Sequence, residues 1–153
     1  MKKFILCFIA LYSIATSQSN AQGPVNITIE TKDQAMVLQT DKDNRLSIVY
    51  TGNRLLNTAD YPLVSQQHPF VDANGAIANN AYTPAGTWNL VEPALQLTHG
   101  DGNNSLELKY ISHVVKKIDD NTSLTSILLK DPAYPFSATL FYKTYYKENV
   151  VEQ

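Results

Sequence analysis

Val25-Asn26-Ile27-Thr28-Ile29-Glu30 alternates apolar and polar residues without exception. A period of two is the pattern of a strand with one face buried and the other solvated. Working outward, residues 35–40 and 45–50 carry the same character, separated by Asp41-Lys42-Asp43-Asn44, a composition suited to a hairpin turn. On the second arm, Leu46, Ile48 and Tyr50 are expected to share one face. Further along come residues 94–98, then a turn at Gly100-Asp101-Gly102-Asn103-Asn104, then 105–118. In that last stretch Leu106, Leu108 and Tyr110 point one way, and Glu107 and Lys109 the other. Asp119-Asp120-Asn121 turns the chain into 122–130, and Asp131-Pro132 with Pro135 breaks it again before 136–146. No window repeats apolar residues at helical spacing for three turns. Short strands punctuated by turns define an all-β protein, an antiparallel β-sandwich.

The chain has 153 residues, 12 Lys+Arg against 14 Asp+Glu, and one cysteine, Cys7. This excludes a disulfide framework and a Cys/His zinc cluster, and leaves no basic excess for gripping phosphates. The first residues bias these counts. Met1-Lys2-Lys3 is a short positive segment, residues 4–15 are an apolar run, and Ser19-Asn20-Ala21 fits small-x-small cleavage. Residues 1–21 therefore read as a signal peptide cut before Gln22. An uncleaved anchor would need a longer apolar run to span a bilayer. A lipoprotein would need small residues around Cys7. Removing 21 of 153 residues leaves 132, with no cysteine and 10 basic against 14 acidic side chains, a net charge of −4. Such a chain is held by core packing alone, and its charge argues against nucleic acid or anionic membrane surfaces as partners. Export points to the periplasm or the extracellular space. Asn26-Ile27-Thr28, Asn103-Asn104-Ser105 and Asn121-Thr122-Ser123 match the glycosylation triplet, which is inert in a bacterial cell.

Residues 57–93 break the strand rhythm. They hold Pro62, Pro69, Pro84 and Pro93, the only tryptophan, Trp88, and the aromatics Tyr61, Phe70 and Tyr82. Long connections in compact domains are usually functional or disordered, and disorder normally lacks such aromatic content. A loop that packs through its own aromatics is expected here. At the other end, the apolar strand 136–146 is followed by Val150-Val151 just before Gln153. A strand left without its partner would expose a sticky edge, so the domain reads as incomplete at its C-terminus.

Candidate chemistry is sparse. Asp41-Lys42-Asp43-Asn44 has the opening of a calcium loop, but Leu46 stands at the sixth position and Gly52 at the twelfth. It reads as a hairpin turn, as do Asp119-Asp120-Asn121 and Asp72-Ala73-Asn74-Gly75. His68, His99 and His113 lack partners at ligand spacing and read as structural. Ser112 and His113 are adjacent on a strand and face opposite ways, so they form no nucleophile–base pair. Glycoside hydrolysis needs two facing carboxylates. Glu30 and Glu107 sit on polar strand faces, where solvation is the plain reading, and no pair stands out. Trp88 with Asn89 and Glu92 is the candidate ligand contact: an aromatic plane stacks on a sugar ring while amide and carboxylate bond its hydroxyls. The competing role for Trp88 is to anchor its loop on the sheet.

Residues 82–95, YTPAGTWNLVEPAL, resemble a stretch of the N-terminal β-supersandwich domain of glycoside hydrolase family 36, the α-galactosidases. Residues 45–55 (RLSIVYTGNRL) are similar to that domain's strand ending in an aromatic-x-Gly-x-x-Leu turn. Residues 105–114 (SLELKYISHV) are similar to its strand ending in Ser-His. Residues 137–150 are similar to a later strand that ends near an acidic-x-Val step. The resemblance runs from about Ile27 to Val151, and the spelling around Trp88 looks most like secreted enzymes of gut-type Bacteroidetes. It implies a domain that precedes a (β/α)₈ barrel, the barrel carrying an aspartate nucleophile and an aspartate acid/base for retaining hydrolysis of terminal α-galactosides. No Trp-Asp-x-Asn segment of the kind that bears the nucleophile occurs here, so no catalytic residue carries over. The family's loop often has Asp-Phe-Arg where Asn89-Leu90-Val91 stands, which removes the arginine contact and leaves Asn89 as the hydrogen-bonding group near a barrel mouth.

The expectation is a non-catalytic accessory domain of a secreted α-galactosidase, inactive alone, without metal or cofactor. Its partners would be its own catalytic barrel, α-galactoside sugars and further copies in a homo-oligomer. The alternatives are a free-standing exported module that holds sugars through Trp88, and a structural envelope protein.

Overall fold

The computed structural model describes residues 23–65, 81–82, 85 and 92–153. The signal-peptide reading of residues 1–21 therefore lies outside the described residues. Among the described residues, seven strands form two antiparallel sheets. The first holds β1 (Asn26–Glu30), β2 (Gln34–Thr40) and β3 (Leu46–Asn53), in that order. The second holds β4 (Lys109–Lys117), β5 (Thr122–Lys130), β6 (Ser137–Tyr145) and β7 (Val150–Glu152), again in chain order. Every connection between neighbouring strands is local, as the short turns require. The all-β sandwich expected from the alternation is thus the fold.

Aspartates build the corners. Asp41 Oδ1 accepts from the amides of Asp43 and Arg45, both at 2.8 Å. Asp119 Oδ1 accepts from Asn121 and Thr122, both at 2.7 Å. Asp131, itself buried, accepts from Ala133 at 2.8 Å and Tyr134 at 3.0 Å. In each case a short carboxylate satisfies amides that have left the ladder, which is why these residues start turns. Asn44 and Asn149 take the left-handed conformation, with φ of 58° and 55°, that asparagine tolerates better than most residues.

The inner faces of the two sheets meet in one core. Ile27, Ile29, Leu38 and Leu46 of the first sheet pack with Ile127, Leu129 and Tyr142 of the second, joined by Ala81, Leu106 and Leu108. Each fully buried aliphatic side chain contributes about 1.5–3 kcal/mol relative to exposure. The first sheet is covered on its other face as well. Ala35, Val37 and Val49 pack there against Tyr61, with Tyr50 and Leu55 alongside. Tyr61 opens a single helical turn, α1 (Tyr61–Val64), which follows a 3₁₀ turn at Thr58–Asp60. The aperiodic stretch 57–93 therefore begins with the two short helical turns found among the described residues and packs back through Tyr61, as expected of an aromatic-rich loop.

Two bulges correct the face assignments. Val37 pairs with Tyr50 but Leu38 pairs with Ile48, leaving Val49 as an extra residue on β3. Adjacent residues on β2 face opposite ways, so Ile48 joins the inner core while Tyr50 turns to the outer cluster. Leu46, Ile48 and Tyr50 do not share a face. On β4, Tyr110 pairs with Leu129 and Ser112 with Leu128, so Ile111 is the extra residue. Two further expectations are amended. Residues 94–98 form only an isolated bridge at Leu95, and the strand expected over 105–118 begins at Lys109. Val150-Val151 does begin a strand, and β7 pairs with β6.

Candidate functional site

The described residues on either side of the candidate ligand stretch, Ala85 and Leu95, are joined by a backbone hydrogen bond. The Ala85 amide donates to Leu95 O at 2.9 Å, and the Leu106 amide donates to Ala85 O at 3.1 Å. Ala85 and Leu106 are buried, so this junction is seated on the core. Just before it, Ala81 is buried, and its amide donates to Leu46 O at 3.2 Å. Tyr82 packs against the same core, and burial pushes its hydroxyl well above the ordinary tyrosine range. Of the three candidate residues, Trp88 and Asn89 lie outside the described residues. Glu92 is described and exposed, three positions before Leu95.

The aromatic-x-Gly turn has a physical basis in this fold. Tyr50 curls back so that its hydroxyl donates to Asn53 O at 2.6 Å. A Cβ at Gly52 would lie 2.9 Å from that hydroxyl, closer than side chains approach, so glycine leaves room for the ring. The Tyr50 ring in turn lies tilted against Tyr61, with centroids 5.4 Å apart.

Glu30 on β1 and Glu107 just before β4 both make ion pairs, Glu107 with its side chain still 40% exposed. Glu30 Oε1 accepts from the Tyr61 hydroxyl at 2.6 Å, and Glu30 Oε2 lies 3.4 Å from Arg54 Nε. Tyr61 also accepts from the Leu55 amide at 3.2 Å. Glu107 Oε1 accepts from Lys109 Nζ at 2.6 Å and from Arg45 Nη2 at 2.9 Å. These cations, Lys109 foremost, hold the Glu107 carboxyl below the usual range. The Asn103 amide and the Tyr134 hydroxyl do the same for Asp101, and the Asn121 amide does so for Asp119. A glycosidase general acid needs the opposite, a carboxyl raised by an apolar pocket.

The two described histidines, His99 and His113, serve the fold, and His68 lies outside the described residues. His99 is buried, bonds Ser105 O through Nε2 at 3.0 Å, and stacks on Tyr134 with centroids 3.5 Å apart. His113 Nδ1 lies 2.8 Å from the Tyr110 hydroxyl. Ser112 pairs with Leu128 and His113 with Ile127, so the two side chains do face opposite ways. A cavity of about 480 Å³ opens between the sheets, lined by Ile29, Met36, Tyr142 and Val151 with Gln34 and Thr51 among its polar groups. Among the described residues that line it there is no Asp or Glu. Among the described residues no group of three or more His, Cys, Asp or Glu is placed to hold a metal, and no helix is long and apolar enough to cross a membrane.

Among the described residues these features define a β-sandwich built from two antiparallel sheets. Residues 44–153 match the glycosyl hydrolase family 36 N-terminal domain, and the chain belongs to that family. No curated protein matches it. Among solved structures it is similar to the α-galactosidase of Lactobacillus brevis, with a TM-score of 0.66 and 18% identity over 86% of this chain and 21% of that one. It is also similar to an α-galactosidase of Geobacillus stearothermophilus in complex with raffinose, with a TM-score of 0.64 and 18% identity over 83% of this chain and 21% of that one. A third similar structure is the galactosidase domain of an α-galactosidase–sucrose kinase, at a TM-score of 0.60 and 19% identity, covering 81% and 20% respectively. The chain thus spans about a fifth of the length of these proteins.

Proposed function

We propose that this chain serves as the non-catalytic N-terminal accessory domain of a secreted α-galactosidase of Bacteroidetes type, delivered by a cleaved signal peptide. The observation that carries this reading is the family match over residues 44–153, joined to a fold that covers only a fifth of each α-galactosidase it resembles. Hydrolysis of terminal α-galactosides, including raffinose-type sugars, belongs to a barrel outside these residues. The sandwich supports that barrel, contributes to contacts between subunits, and brings the loop with Trp88, Asn89 and Glu92 toward the entrance. There Trp88 stacks on a sugar ring and the amide and carboxylate bond its hydroxyls.

The direct experiment is to assay the isolated chain with a nitrophenyl α-galactoside. No release of nitrophenol is expected. Clear activity, abolished by a point change within these residues, overturns the accessory role. In an enzyme that carries this domain and its barrel, tryptophan fluorescence should respond to galactose and lose the Trp88-dependent part in the Trp88→Phe variant. A response identical in both proteins would leave Trp88 as an anchor of its loop only.

A further inference from the structure

We draw no further inference here: the strongest candidate, the cavity between the two sheets lined by Ile29, Met36, Tyr142 and Val151, has among the described residues no charged side chain on its wall and no buried side-chain polar atom left without a partner, so nothing in the structure shows what fills it.

Discussion

The Tyr110 hydroxyl and His113 Nδ1 lie 2.8 Å apart, although three positions separate the residues on one strand. In a regular strand, residues three apart point to opposite faces. The extra residue Ile111 inverts the alternation between them, so Tyr110 shares a face with Leu129 and His113 with Ile127, both inward. The bond thus reports the bulge directly. Tyr110→Phe and His113→Ala, alone and together, should show a coupling of about 0.5–1.5 kcal/mol in urea unfolding. Additive single changes would show that the bond contributes nothing.

Tyr61 joins the helical turn to both the end of β1 and the chain after β3. Its hydroxyl donates to Glu30 and accepts from the Leu55 amide, while its ring is buried on the first sheet. Tyr61→Phe keeps the packing and strands both partners, and should cost about 1–3 kcal/mol. Tyr61→Ala also opens a cavity and should cost about 3–5 kcal/mol. Denaturant midpoints with an unchanged slope are the measurement, and a Tyr61→Phe variant as stable as the parent would refute the hydroxyl's role.

Asp131 is the buried corner between β5 and β6. Asp131→Ala leaves the amides of Ala133 and Tyr134 without their acceptor and should destabilise by about 1–3 kcal/mol. Asp131→Asn retains an oxygen at the same place and should recover most of that loss. Thermal melts of the two variants decide it.

Tyr142 is fully buried, and burial pushes its hydroxyl up to about 12. The folded state therefore disfavours the phenolate. The corresponding stability is present below the unfolded value near 10, and is lost as pH rises from there through about 12. It amounts to something on the order of 2 kcal/mol. The hydroxyl lies 3.5 Å from Ala81 O, at the limit of a hydrogen bond, so Tyr142→Phe should be nearly neutral at pH 7 and flatten the alkaline loss. An alkaline profile identical in both proteins would contradict this.

Much of the architecture was legible because it is local. The alternation in β1 and the aspartates at the corners are each contained within a few residues, and strand and turn chemistry act on that scale. The bulges were not legible, because Ile48, Val49 and Tyr50 are apolar in succession and suit either face. Glu30 read as solvated because its partners, Tyr61 and Arg54, come from distant segments. Residues 94–98 look like a strand, yet only Leu95 forms an isolated bridge, and its carbonyl accepts from the Ala85 amide. Of the candidate site, only the aromatic loop's presence and its packing through Tyr61 could be read from composition. Trp88, Asn89 and Glu92 were singled out by their chemistry as a sugar contact, and no local pattern specifies how a ligand would meet them.

The turn between β1 and β2 is fastened to the turn between β6 and β7. The Lys32 amide donates to Tyr146 O, the Asp33 amide donates to Asn149 Oδ1, and Asn149 Nδ2 donates back to Asp33 Oδ2, across 116 positions of sequence. On a ribosome, the first three strands emerge long before the residues that latch them. The early sheet must wait for its latch while the 96 residues from Arg54 to Asn149 are translated. Birth order therefore exposes the first sheet to chaperones and proteases until Ile127, Leu129 and Tyr142 arrive to cover it, and Asn149 then fastens the two turns.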